Sequence, residues 1–371
     1  MIFYLVFIQT GIDFKGNDLI LQFTPGAEAL SEQKSAGRIL GALFRNRAIP
    51  HALLFTGIEG VGKKAAAIRF AMACNCRTQP ESGDNPRPIT DLWSVPCGNC
   101  RSCEKIASMN HPDIIVIEPA GAWIKISQIR DLHHILALKP YEARLRVVII
   151  AGAQAINPEA GNALLKVLEE PPDRTVLVLT AVEKGDLLPT IVSRCRHIRF
   201  HPVPPARIME ILQRDHGLNK DEAAIVAAIA DGSLSKALAA AQGAEGKRRW
   251  IEYRNQLISG SGLDRAGSDP EKPFIRLMAF AEKLSENKKN LPDILELLKS
   301  FARDLLIFQY HPDRIINKDL TERIQYASQS NPVSSLMVQI ETIQRAQRDI
   351  AANVNPRLAL EAMIAKISKV Q

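Results

Sequence analysis

Ala52-Leu-Leu-Phe-Thr-Gly57-Ile-Glu-Gly60-Val-Gly62-Lys63-Lys64, followed by Ala65 to Cys74 at helical spacing, decides the fold. A short apolar run, a glycine-rich turn and a helix succeed one another in the order of a phosphate-binding loop. In that motif the glycines let successive backbone N–H groups face phosphate at a helix N-terminus, and the lysine reaches the β and γ oxygens. Gly57, Gly60, Gly62 and Lys63 occupy those positions. The last position ordinarily carries a Ser or Thr hydroxyl for Mg²⁺, and here it is Lys64. An ammonium repels the metal, so weakened metal–nucleotide binding and strongly impaired hydrolysis are expected. A purely structural glycine turn is the competing reading.

Working outward, further apolar runs alternate with helix-like stretches: Asp113 to Glu118, Arg146 to Ile150, Thr175 to Thr180 and His197 to Phe200. Continuous Val/Ile/Leu runs imply strands buried on both faces, hence a parallel sheet covered by helices, an α/β domain. An active phosphate-loop enzyme places acids at the end of a later strand. Arg146-Val-Val-Ile-Ile-Ala151-Gly152-Ala153-Gln154 supplies the strand without a carboxylate, leaving Glu118 or Glu169 as substitutes. Ser31 to Asn46 has helical spacing, and residues 1–25 read as an add-on.

Three prolines in His201-Pro-Val-Pro-Pro205 stop any regular element and mark a hinge. Beyond it, Ala206 to Gln242 reads as two or three short alanine-rich helices interrupted at Gly232-Ser233. Trp250 to Leu257, Phe274 to Leu284, Ile294 to Phe308, Ser334 to Ile350 and Pro356 to Val370 continue the helical pattern. The expected organisation is an N-terminal extension (1–30), a phosphate-loop domain (31–202), a helical lid (203–245) and an all-α collar (246–371).

The chain has 371 residues, 46% hydrophobic and 23% charged, which excludes a disordered or membrane-spanning chain. Lys and Arg number 47 against 40 acids, a surplus that permits a polyanion partner without identifying one. Met1 to Ile8 lacks a basic flank, so neither a leader nor a span is expected and a cytoplasmic location follows. Six cysteines are too few for a disulfide scaffold. Cys97-Gly-Asn-Cys100-Arg-Ser-Cys103 instead has the spacing of metal-ligand pairs, and Cys76 completes a tetrahedral set, with Cys74 the competing fourth ligand. Four thiolates leave no open position, so structural zinc is expected, stapling the insertion Arg77 to Pro96.

Arg194 in Ser193-Arg194-Cys195, taken alone, reads as a solvated or salt-bridged side chain. Pro50-His51-Ala-Leu-Leu-Phe-Thr-Gly57, the phosphate loop, Pro96-Cys97, His111-Pro112-Asp113, Asn162-Ala-Leu-Leu-Lys166-Val-Leu-Glu-Glu-Pro171-Pro172 and Ser193-Arg194-Cys195 together resemble the clamp-loader AAA+ ATPases of bacterial DNA polymerase III. The resemblance implies that Arg194 is an arginine finger reaching ATP on a neighbouring subunit. It also implies a ring with gamma/tau and delta subunits, a sliding clamp and primed DNA as partners, and no membrane.

Motor members of that family keep Lys-Ser/Thr and an acidic pair, and carry an arginine in a lid Gly-Ser-Leu-Arg element. This chain has Lys64, no acidic pair after Ile150, and Gly232-Ser-Leu-Ser235. The resemblance is therefore to a non-hydrolysing member; ATP binding stays open, and Mg²⁺ is not expected. Ala352-Asn-Val-Asn-Pro356-Arg-Leu-Ala-Leu-Glu361 is similar to the family's last collar helix. Asn157-Pro158 opens a helix that in this family faces the DNA backbone, so Lys166 is either a phosphate contact or a plain exposed charge. A working gamma/tau-type ATPase and a zinc-dependent nucleic-acid-binding module are the competing functions.

Overall fold

The computed structural model describes residues 27–78, 89, 91–241, 254–261, 263, 274–286, 291–351 and 354–369. The N-terminal add-on, much of the insertion between Arg77 and Pro96, and the start of the helix expected at Trp250 lie outside them.

Five strands form one parallel sheet: β1 (Ala52–Thr56), β2 (Ile114–Ile117), β3 (Arg146–Ile150), β4 (Thr175–Ala181) and β5 (Arg196–Arg199), in the order β2-β3-β4-β1-β5. The register pairs Ala52 with Leu177 and Leu53 with Arg196 on either side of β1. Central strands β1, β3 and β4 are buried at every position, as their unbroken apolar runs require. The edge strands β2 and β5 are partly exposed, so the expectation of burial on both faces holds only for the middle of the sheet.

Alternation along the strands splits the core in two. Leu53, Phe55, Val147, Ile149, Val176 and Val178 meet the helix Lys63–Asn75, with Phe70 and Met72 fully enclosed. Ala52, Leu54, Val148, Ile150, Leu177 and Leu179 meet the helices Ile126–Leu136 and Pro158–Glu169. Each such large apolar side chain contributes about 1.5–3 kcal/mol through removal from water. The carboxyl ends of parallel strands share one edge, so the phosphate loop, Glu118 and residues 151–154 converge there. The opposite edge gathers His51, Leu145 and Arg174.

The helix expected over Ser31–Asn46 is broken. A 3₁₀ turn (Ala27–Glu32) precedes the helix Lys34–Arg45. Between them the Gln33 amide donates to the His201 carbonyl at 2.7 Å and accepts from its N–H at 3.0 Å, tying the junction to the end of the domain.

Contacts divide the chain into two units, Met1–Val203 with Ser233–Ser235, and Pro204–Gly232 with Lys236–Gln371. The regular elements of the second, among its described residues, are all helices. Pro205–His216 packs on Lys220–Ile229, and Leu291–Phe308 packs on Val333–Ala351 and Thr321–Gln329. Leu298, Phe301, Leu305, Ile343, Leu360 and Ile364 centre its core. Thr321–Gln329 is a helix the periodicity did not suggest, because only Ile324, Ala327 and Ser328 of its nine residues are buried.

Candidate phosphate, arginine and cysteine sites

The phosphate loop has the expected backbone. Gly57, Gly60 and Gly62 all have positive φ (149°, 73° and 99°), which side chains rarely adopt. A Cβ at Gly57 would meet the Phe200 carbonyl at 2.6 Å, and one at Gly60 would meet Ser233 Oγ at 2.2 Å. Lys63 does not point into open space. Its ammonium donates to the carbonyls of Gly57 and Ile58, the latter at 2.8 Å. Burial pushes the Lys63 pKa down to about 8, against a smaller opposing pull from Glu59. The Ser235 N–H donates to the Gly60 carbonyl at 3.2 Å, so the strip Ser233–Ser235 lies on the loop. Sequence reading identified this strip only by its missing arginine.

Lys64, in the hydroxyl position, pairs with Glu118 Oε1 at 2.7 Å. After β3, Gly152 turns with φ 71°, and its N–H donates to Thr180 Oγ1 at 3.1 Å. Both carboxylates named as substitute metal ligands are engaged elsewhere: Glu118 by Lys64, and Glu169 by Arg194.

Arg194 follows the short helix Pro189–Val192. Its guanidinium donates to the Thr190 carbonyl at 2.9 Å and to Glu169 Oε1 at 2.7 Å. The pair is about one-third exposed on the arginine side and half exposed on the glutamate side, so it is salt-bridged but accessible. Lys166 is exposed one turn before Glu169, on the helix opened by Asn157, whose side chain accepts from Ala160 N–H at 2.9 Å. The Lys166 ammonium makes no hydrogen bond or ion pair among the described residues.

The structure brings Cys76, Cys97, Cys100 and Cys103 together, with all four sulfurs within 4.8 Å of one another. A tetrahedral Zn–S distance of about 2.3 Å sets neighbouring sulfurs roughly 3.8 Å apart, so the set fits one zinc ion. A hydrogen bond from Cys103 and the Cys97 N–H, opposed by burial, bring the Cys76 thiol down to about 5, towards the thiolate that binds metal. Hydrogen bonding with Cys76, together with burial, pushes Cys103 up. Cys74 is excluded from the cluster. It lies two residues earlier inside the helix, packed in the core, and burial pushes its thiol up. All six cysteines are free of disulfides.

Asp113, which the sequence presents only within His111-Pro112-Asp113, is a buried anchor. Its carboxylate accepts the N–H groups of Tyr141, Glu142 and Ala143 at 2.8–2.9 Å and faces Arg146 at 3.4 Å. Burial would raise its pKa, but the three backbone donors and Arg146 outweigh it and hold the carboxyl below the usual range. Its donors lie about thirty residues downstream, so no local pattern could reveal them. No helix among the described residues is long and apolar enough to cross a membrane.

Comparison with known proteins agrees with this arrangement. Family profiles described as "DNA polymerase III, delta subunit" and "DNA polymerase III, delta subunit, C terminal" match residues 32–204 and 273–369. The DNA polymerase III subunit delta' of Pseudomonas aeruginosa is 31% identical over 324 residues, covering 85% of this chain and 90% of that protein. The subunit delta' of Bacillus subtilis is 29% identical over 325 residues, with the same coverage. The B. subtilis subunit tau is 27% identical over 344 residues, 85% of this chain but 57% of tau. With its parallel sheet and glycine loop, the chain belongs to the delta-prime family of DNA polymerase III subunits.

Proposed function

We propose that this chain is a non-hydrolysing clamp-loader subunit that lends Arg194 to ATP bound by a neighbouring gamma/tau-type subunit. The observation that carries the reading is the state of its own phosphate loop. Lys63 is folded onto the loop carbonyls, Lys64 occupies the metal-anchor position paired with Glu118, and Ser235 caps Gly60. The loop therefore satisfies itself, and a nucleotide would have to displace these contacts without a hydroxyl or acid to anchor Mg²⁺. Arg194, by contrast, is held by an accessible ion pair with Glu169 and a hydrogen bond to the Thr190 carbonyl, and can be redirected.

In this reading the four-cysteine set holds structural zinc. Residues 203–245 form the lid and 246–371 the collar through which a ring with gamma/tau and delta assembles. Lys166 contacts the phosphate backbone of primed DNA, and the assembly opens a sliding clamp. Reconstitution with gamma/tau and delta subunits tests the proposal. The isolated chain should release no phosphate from ATP, whereas the complex should hydrolyse ATP in a manner dependent on Arg194. Turnover by the isolated chain that disappears in Lys63→Ala would instead identify an active gamma/tau-type ATPase.

A further inference from the structure

At the amino-terminal edge of the sheet, opposite the phosphate loop, lies a cavity of about 530 Å³. Arg45, Arg47, Arg174 and His51 line it, with Asp173 the one acid, together with apolar residues that include Phe44 and Ile49. The volume is that of a small-molecule site. None of the three arginines makes an ion pair or side-chain hydrogen bond among the described residues, whereas Arg69, Arg146 and Arg194 all do.

The backbone adds a second observation. Arg47 has φ 51° and Arg174 has φ 53°, both left-handed. Arg47 stands one residue past the cap of the helix Lys34–Arg45, in a turn closed by Ala48 N–H to Leu43 O and Arg47 N–H to Phe44 O. Glycine is the unstrained residue at such a position. Two of the four residues in the described chain that pay a positive-φ penalty without being glycine therefore line one cavity, and both are arginines.

We propose that this cavity binds a nucleotide phosphate, supplied either by a free mononucleotide or by the 5′ end of a DNA strand. Guanidinium forks match phosphate oxygens in two-point contacts, and the apolar residues of the lining, Phe44 and Ile49 among them, suit a base. The site is separate from the phosphate loop and from the arginine finger.

Calorimetry on the full zinc-loaded chain, with dTMP, 5′-phosphorylated oligothymidylate and its unphosphorylated form as probes, tests the assignment. Arg47→Gly and Arg174→Gly should each weaken binding of the phosphorylated probes about tenfold. The thermal midpoint should stay unchanged or rise, because glycine relieves the backbone. Lys63→Ala should leave this affinity intact. Tighter binding of the phosphorylated strand than of dTMP identifies the strand end as the source, and the reverse order identifies the free nucleotide. Failure of both phosphorylated probes to bind would overturn the proposal. So would binding indifferent to both glycine variants, binding abolished by Lys63→Ala, or a preference for an Asp-rich peptide over either probe.

Discussion

Glu169 sits between Arg194 and the role proposed for it, and the strength of that restraint can be worked out. The contact is a single N–H···O bond of 2.7 Å between side chains about one-third and half exposed. Exposed pairs of this kind are worth about 0.2–1 kcal/mol after desolvation, entropy and screening. Releasing Arg194 by Glu169→Gln should therefore raise the population free to reach a neighbour by at most about fivefold. Arg194→Ala removes the cation itself, a loss on the order of 10³-fold or more at the interface it serves. Single-turnover ATP hydrolysis by the reconstituted complex separates the two. Glu169→Gln should hydrolyse as fast as the unaltered complex or up to several-fold faster, with the gain shrinking as salt is raised. Equal, severe losses in both variants would show the pair to be a structural brace, and an unimpaired Arg194→Ala complex would remove the finger altogether.

Chelation, or Cys100→Ser, should release about one zinc per chain and lower the thermal midpoint; a metal-free chain that melts normally contradicts the cysteine site. Lys63, dimethylated with ¹³C-labelled formaldehyde, should titrate near pH 8 rather than in the usual lysine range, and an ordinary titration would mean it is not buried against the loop carbonyls. The sign for stability follows: the unfolded chain holds this proton to higher pH, so stability relative to a Lys63→Met variant should rise between about pH 8 and 10. Asp113→Ala should cost about 3–5 kcal/mol by denaturant unfolding, since it orphans three backbone N–H groups and leaves Arg146 without its carboxylate. Because the folded Asp113 pKa is depressed, its contribution is complete above the usual carboxylate range and fades as pH falls below roughly 4. A variant that loses nothing at neutral pH refutes the anchor role.

What could be read from the chain alone was whatever repeats or lies close in sequence. The central strands announce themselves through unbroken Val, Ile and Leu, and the phosphate loop through strand, glycines and helix in succession. The four-cysteine set was legible from its spacing, but the choice between Cys74 and Cys76 was not. Two residues on a helix differ by about 200° of rotation, and only the end of the helix at Asn75 decides which sulfur turns towards the other three. The pairs Lys64–Glu118 and Arg194–Glu169 join residues 54 and 25 apart. The first exists because parallel strands bring their carboxyl ends to one edge, the second because the helix Pro158–Glu169 ends and β5 begins towards the opposite edge; neither fact of topology has a local signature.

The route of the chain around Ser233–Ser235 bears on how this protein can be dissected. The polypeptide leaves the first unit after Val203 and comes back for three residues before departing again. A fragment cut at the proline-rich boundary would keep every glycine of the loop yet lose the Ser235 N–H that covers the Gly60 carbonyl. Such a truncated piece would display an artificially uncovered cradle, and any affinity for triphosphates measured on it would belong to the scissors rather than to the intact subunit.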